Sequence, residues 1–178
     1  RLIMVLSSCV KDPNKTAYDG MDRDEKVLYV FRRSLITNIP WVSFTLVLVF
    51  FPFFAWPYVS GFLTLPINFE MVITLFWYLF VFGYAFHNFT LWFFNVYIVS
   101  SKKIIDIDFH GLLYKDISEA TLDNIEDVTS VVKGTFGTIF NIGAVYVQTA
   151  GESREFEFTG VDRPAKIRDL IADLKADY

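Results

Sequence analysis

Residues 34–62, SLITNIPWVSFTLVLVFFPFFAWPYVSGF, and residues 67–94, INFEMVITLFWYLFVFGYAFHNFTLWFF, decide how this chain is built. From Ser34 to Ser101 the one Asp, Glu, Lys or Arg is Glu70. A hydrocarbon layer of about 30 Å takes about 20 apolar residues in a helix, so the stretch is long enough for two crossings and too long for one. The first is expected over Ser34–Trp56 and the second over Ile67–Phe94, with Pro57, Gly61 and Pro66 supplying the reversal between them. A buried helical pair in a soluble protein would keep a solvated face over such a length, and this stretch offers none. A two-helix transmembrane hairpin is the expected centre of the molecule.

Composition agrees. The chain is 53% hydrophobic and 19% aromatic with mean hydropathy +0.38, above the usual range for a soluble domain. All four tryptophans fall in the hairpin. Trp41, Trp56 and Trp92 lie near the expected helix ends, where an amphipathic ring prefers the headgroup boundary, and Trp77 is placed deeper as a packing residue. Arg23, Lys26, Arg32 and Arg33 precede the first helix, Lys102, Lys103 and Lys115 follow the second, and no Lys or Arg lies between. The positive-inside rule therefore places both flanks in the cytoplasm and the short turn outside. Arg32, Arg33, Lys102 and Lys103 are the expected membrane-interface and lipid contacts.

Polar groups inside the hairpin are few. Glu70 falls in the first turn of the second helix, where the partial positive charge of the helix start favours a carboxylate. His87 and Asn88, near its other end, are expected to hydrogen-bond between helices or to a headgroup; a proton relay lacks an acid or base at matching depth. Pro52 is expected to kink the first helix and free a carbonyl.

The flanks are of another kind. The sequence starts at Arg1 rather than at a methionine, which leaves room for residues before it. Leu2–Val10 is too short to span and reads as a small strand or an interfacial anchor. Leu6-Ser7-Ser8-Cys9 has the look of a lipoprotein cleavage box, but a lipidated Cys9 would put the amino end outside, against the charges. A single cysteine forms no disulfide within the chain. Lys11–Lys26 reads as a linker, and Val27–Phe31 as a short strand or interfacial helix. After Asn95 the period changes to that of strands: Val96–Val99, Ile104–Phe109, Leu112–Tyr114, part of Leu122–Val132, Val145–Thr149 and Arg154–Phe158. Asp162 is expected to cap a last helix at Arg163–Ala176, where Ile167, Leu170, Ile171 and Leu174 form one apolar stripe.

Four segments of this region, Asn95-Val-Tyr-Ile-Val-Ser-Ser-Lys-Lys-Ile-Ile105, Ile125-Glu-Asp-Val128, Gly134-Thr-Phe-Gly-Thr-Ile-Phe-Asn-Ile-Gly143 and Val147-Gln-Thr-Ala-Gly151, come in this order behind the hairpin. Together they resemble the membrane-flanked bacterial pleckstrin-homology (PH) family, over roughly Trp92 to Leu174. The resemblance implies two near-orthogonal sheets with a helix closing one end, and it implies no enzyme, since the family has no established catalytic residues. The expected architecture is an α+β membrane protein: a cytoplasmic segment 1–33, the hairpin 34–94, and a PH-like β-barrel or sandwich over 95–178 closed by the C-terminal amphipathic helix. Gly134, Gly137 and Gly143 give a long connection the freedom to tuck against the sheets, with Phe136, Ile139, Phe140 and Ile142 plugging the barrel mouth. Tyr97 is expected at the membrane surface.

Function is read mainly by exclusion. Residues 102–178 carry 9 Lys and Arg against 14 Asp and Glu, which disfavours nucleic acid and clustered inositide recognition. No phosphate loop, nucleophile elbow, metal-ligand histidine pair or cysteine pair is present, so no cofactor or metal is expected. The resulting expectation is a non-catalytic, multi-pass protein of the inner membrane with both termini cytoplasmic. Its PH-like domain would serve as a protein-interaction or assembly module for other membrane proteins or for further copies of itself. The alternatives are an anionic-lipid sensor and an accessory subunit of a transporter or membrane enzyme.

Overall fold

The computed structural model describes residues 9–11, 13, 18, 21–22, 24–62, 66–109, 115–150 and 155–176. The cleavage-box residues before Cys9, Arg23, the His110-Gly111 turn, the strand expected at Leu112–Tyr114 and the turn at Gly151–Ser153 lie outside them.

Two strands precede the apolar stretch, β1 (Cys9–Lys11) and β2 (Val27–Arg32). A 3-10 turn (Leu35–Asn38) then opens into α1 (Ile39–Phe62), followed by α2 (Ile67–Phe94). At 1.5 Å per residue these helices are about 36 and 42 Å long, sufficient for a layer of about 30 Å. Both are apolar enough to cross a membrane, and most of their described residues are exposed. They meet along an aromatic seam, with Phe44 edge-on to Tyr84 and Phe51 stacked on Trp77 at 5.1 Å between ring centres.

The chain then forms β3 (Val96–Ser100), β4 (Lys103–Phe109) and β5 (Lys115–Thr121), a 3-10 turn (Leu122–Asn124), and β6 (Ile125–Val131). α3 (Gly134–Phe140), β7 (Ile142–Thr149), β8 (Glu155–Asp162) and α4 (Pro164–Ala176) complete it. The strands make two antiparallel sheets, one ordered β1-β2-β3-β4-β5 and one ordered β6-β7-β8. Among the described residues no ladder joins the two sheets, so the barrel alternative is corrected to a sandwich. Closure stops at the turn after β5: Leu122 and Ile125 bury themselves between the layers as the chain passes from one sheet to the other.

One register governs the molecule. β2 pairs with β3, Arg32 opposite Val96 and Val27 opposite Ser100. The helix pair is thus the connection between two hydrogen-bonded neighbours, and the segment before it supplies two strands of the larger sheet. Alternation in these strands serves both faces. Phe31, Tyr97, Val99 and Ile104 point inward to meet Val145, Val147, Phe158 and Val161, and Ile167 and Ile171 of α4 close that core. Val30, Ile98 and Ile105 point outward and are covered by Tyr18 and Met21.

Three local expectations are corrected. Asp162 is the last residue of β8, opposite Ile142, and does not cap α4; Arg163, in the left-handed region at φ 52°, precedes the helix. Tyr97 is fully buried, stacked on Phe158 at 4.5 Å, because its inward position in β3 faces the second sheet. Of the four residues expected to plug the barrel mouth, Ile142 alone is buried.

Candidate functional site at the root of the helix pair

The helices leave the sandwich through a tightly bonded joint. Ser34 donates its N–H to the Gly160 carbonyl at 2.7 Å, and its hydroxyl accepts the Ile36 N–H, starting the 3-10 turn that leads into α1. Gly160 is required there: its φ is 66°, and a Cβ would lie 3.0 Å from the Thr37 methyl. Arg33 donates from Nη2 to the Thr159 hydroxyl at 2.7 Å, while its carbonyl accepts the Trp92 indole N–H at 3.0 Å. One residue therefore ties β8 to the last turn of α2. Where α2 ends, Asn95 is buried and accepts the Phe109 N–H at 2.8 Å, fixing the helix end to β4. Arg32 lies over the Phe93 ring at 5.4 Å, a cation–π contact.

Beneath this joint sits an acid the sequence did not mark. Asp106, opposite Tyr97 in the ladder, is 8% exposed, and its Oδ1 has no hydrogen-bond partner. Burial, followed by the like charge of Asp108 two residues on, pushes its carboxyl up to about 7, with Arg33 pulling the other way. Burial also lowers the Arg32 guanidinium and raises the Tyr97 phenol. The Tyr97 hydroxyl accepts the Thr159 N–H at 3.1 Å and shares a further bond with the Thr159 side chain, so the Arg33–Thr159–Tyr97 chain runs from the joint into the core. A cavity of about 290 Å³ opens beside it, lined by Arg33, Asn38, Trp41, Asn88 and Trp92 among others.

The root thus gathers Arg32, Arg33, Trp41, Asn88 and Trp92, and leaves other expected residues elsewhere. Trp41 donates to Asn38 at 3.0 Å, and Asn88 to the Tyr84 carbonyl of its own helix at 2.8 Å. Trp92, 9% exposed, belongs to the joint rather than to an open surface. His87 lies on the exposed side of α2. Trp56 and Glu70 meet at the opposite end of the helix pair, where the indole donates to the carboxylate at 3.3 Å.

Lys102 and Lys103 are at the wrong end of the sheet to join the arginines. β3 starts at the root and ends at Ser100, four steps of about 3.3 Å farther on, roughly 13 Å. Lys103 there pairs with Glu119 at 3.4 Å. Thr159, Gly160 and Asp106 were missed by sequence reasoning. Asp106 alternates with isoleucines as a solvated strand residue would, and nothing local says which face is inside.

Two antiparallel sheets packed face to face, with a C-terminal helix closing the core, define a PH-like domain. Residues 34–175 match the family model for the bacterial PH domain, and the chain belongs to that family. The match takes in both apolar helices as well as the sandwich, and begins just after β2. None of the curated proteins matches the chain.

Proposed function

We propose that this chain is a non-catalytic membrane protein whose α1 and α2 cross the inner membrane and whose PH-like domain works at the cytoplasmic surface as an interaction and assembly module. The observation that carries this reading is the register of β2 on β3 across the helix pair. A domain hung on a flexible tether would need only one covalent link to its anchor. Here both ends of the helix pair enter adjacent strands and are locked by Ser34, Arg33 and Asn95, so a change in helix packing is carried into the sheet.

The exposed phenylalanines of the helices, among them Phe50, Phe53, Phe54, Phe76 and Phe80, call for a cover of lipid or of other membrane helices. The absence of Lys and Arg between the helices favours cytoplasmic flanks. For a partner outside the membrane, β5 is an edge strand carrying an exposed Ile117 next to Asp116 and two residues before Glu119, the type of edge that accepts another strand or a basic surface. The partner is accordingly a second copy or another membrane protein, and no nucleic acid.

The test is the native mass after extraction in mild detergent. An integer multiple of 20.6 kDa supports a homo-oligomer, and extra mass of another size supports a heteromeric complex in which this chain is a subunit. A bare monomer overturns the assembly reading in favour of a sensor of anionic lipid. That second reading draws on Arg32 and Arg33, each of which keeps one buried guanidinium nitrogen without a hydrogen-bond partner, Arg33 also lining the root cavity.

A further inference from the structure

α3 is a two-turn helix turned inside out. Gly137 faces the sheet, because a Cβ there would lie 2.8 Å from the Ile142 carbonyl oxygen. Packing through a glycine brings the helix close and sends the stripe at Phe136, Ile139 and Phe140 outward, where the three are 50%, 75% and 43% exposed. Phe136 and Phe140, one turn apart, lie with their ring centres 4.8 Å apart and the rings tilted at 48°. Such an apolar stripe on a surface helix has to be covered by something.

Its position says by what. α3 joins β6 to β7 at the end of the smaller sheet where Asn141 accepts the Arg163 N–H and where, two residues earlier on β8 than Asp162, Gly160 holds Ser34. Phe140 and Ile36, the latter in the turn that opens into α1, line one cavity of about 620 Å³. Asp162, Arg163 and Lys166 stand on the same cavity, two cations to one acid, and Lys133 directly precedes α3. Apolar side chains continuous with the base of a membrane helix, rimmed by cations, match the boundary between acyl chains and phosphates.

We infer that α3 is a monotopic contact: Phe136, Ile139 and Phe140 enter the interfacial layer of the same bilayer that α1 and α2 cross, with Lys133, Arg163 and Lys166 at the phosphates. This rests on the membrane-crossing reading above. It gives the sandwich a third point of attachment and fixes its tilt, so β5 on the far edge of the larger sheet is held facing the cytoplasm.

The experiment places single spin labels on the full chain in phospholipid nanodiscs, in a Cys9→Ser background. The labels are carried by Ile139→Cys and Phe136→Cys on α3, by Phe76→Cys in the helix pair, and by Asp123→Cys on the turn after β5. Accessibility to oxygen, which partitions into lipid, is compared with accessibility to a water-soluble nickel chelate. The expected result is an oxygen-to-nickel ratio at positions 136 and 139 several-fold above that at 123 and below that at 76. Equal ratios at 139 and 123, with 76 still lipid-like, overturn the inference and leave the helix pair in place. Low access to both reagents at 136 and 139 means a protein covers the stripe, which also overturns it. A water-like ratio at 76 overturns the membrane-crossing reading itself, and this inference with it.

Discussion

Trp77 of α2 donates its indole N–H to the carbonyl oxygen of Leu48 in α1 at 2.9 Å, and Leu48 is the residue four before Pro52. Proline has no N–H, so the Leu48 carbonyl loses its helical donor. Trp77 replaces that donor from the neighbouring helix, and the Tyr78 hydroxyl adds a second bond between the helices, to the Val49 carbonyl at 3.2 Å. The polar gap left by one helix becomes the bond that registers the other against it.

Trp77→Phe keeps an aromatic ring, though a smaller one, beside Phe51 and removes the donor. The helix pair is expected to lose about 0.6–1.7 kcal/mol, from the average to the maximum found for hydrogen bonds between membrane helices. In a Pro52→Ala background the new N–H bonds Leu48 within α1, and the same substitution is expected to cost less. A double-mutant cycle in mixed-micelle unfolding measures this, and equal costs in both backgrounds would refute the compensation.

Asp106→Asn tests the buried acid beneath the root. The folded-state carboxyl is raised from 3.8 to about 7, so the folded protein holds its proton more tightly than the unfolded chain. The contribution of Asp106 is therefore fully present below about pH 4 and lost as pH rises through about 7. The variant removes the charge, and is expected to gain about 1–2 kcal/mol over the parent at pH 8 after allowance for solvent screening. At pH 4 it is expected to gain nothing. Unfolding curves at the two pH values decide it.

At the far end of the sheet, Glu25 is buried and accepts from the Tyr18 and Ser100 hydroxyls and from the Asp22 N–H. Burial alone would raise its carboxyl, but the bonds from Ser100, Tyr18 and Asp22, with Lys103 nearby, outweigh burial and hold it below its ordinary 4.5. This contribution is present above pH 4.5 and lost as pH falls below it. Glu25→Gln is expected to destabilise the sandwich at pH 7 by about 1–3 kcal/mol and to reduce the loss on acidification. Denaturant titration at pH 7 and pH 3.5 is the check.

Gly160→Ala strains a residue at φ 66° and presses a methyl towards Thr37. A cost of about 1–3 kcal/mol is expected, concentrated at the joint. Faster proteolysis near Ser34, ahead of cleavage in the core strands, would distinguish a loosened root from a general loss of stability.

The bacterial PH resemblance could be read from four short segments because each is a local pattern of turn and strand residues in a fixed order. The exposed stripe of α3 could not. Phe136, Ile139 and Phe140 look like core in sequence, and they are turned outward by the close approach of Gly137 to Ile142. The separation of Arg32 and Arg33 from Lys102 and Lys103 by the length of β3 was not legible either, since adjacency in sequence to a helix end ignores how far a strand carries the chain before it turns.

The sequence by itself determined the two apolar helices, the strand alternation after Asn95 and the one-sided last helix, because these follow from composition and from periods of a few residues. Tertiary structure alone decided that β2 pairs with β3 across the helix pair, that Tyr97 and Asp106 face inward, and that Trp77 finds Leu48. Each of those joins residues far apart in the chain, and which partner wins depends on how whole faces pack rather than on any local pattern.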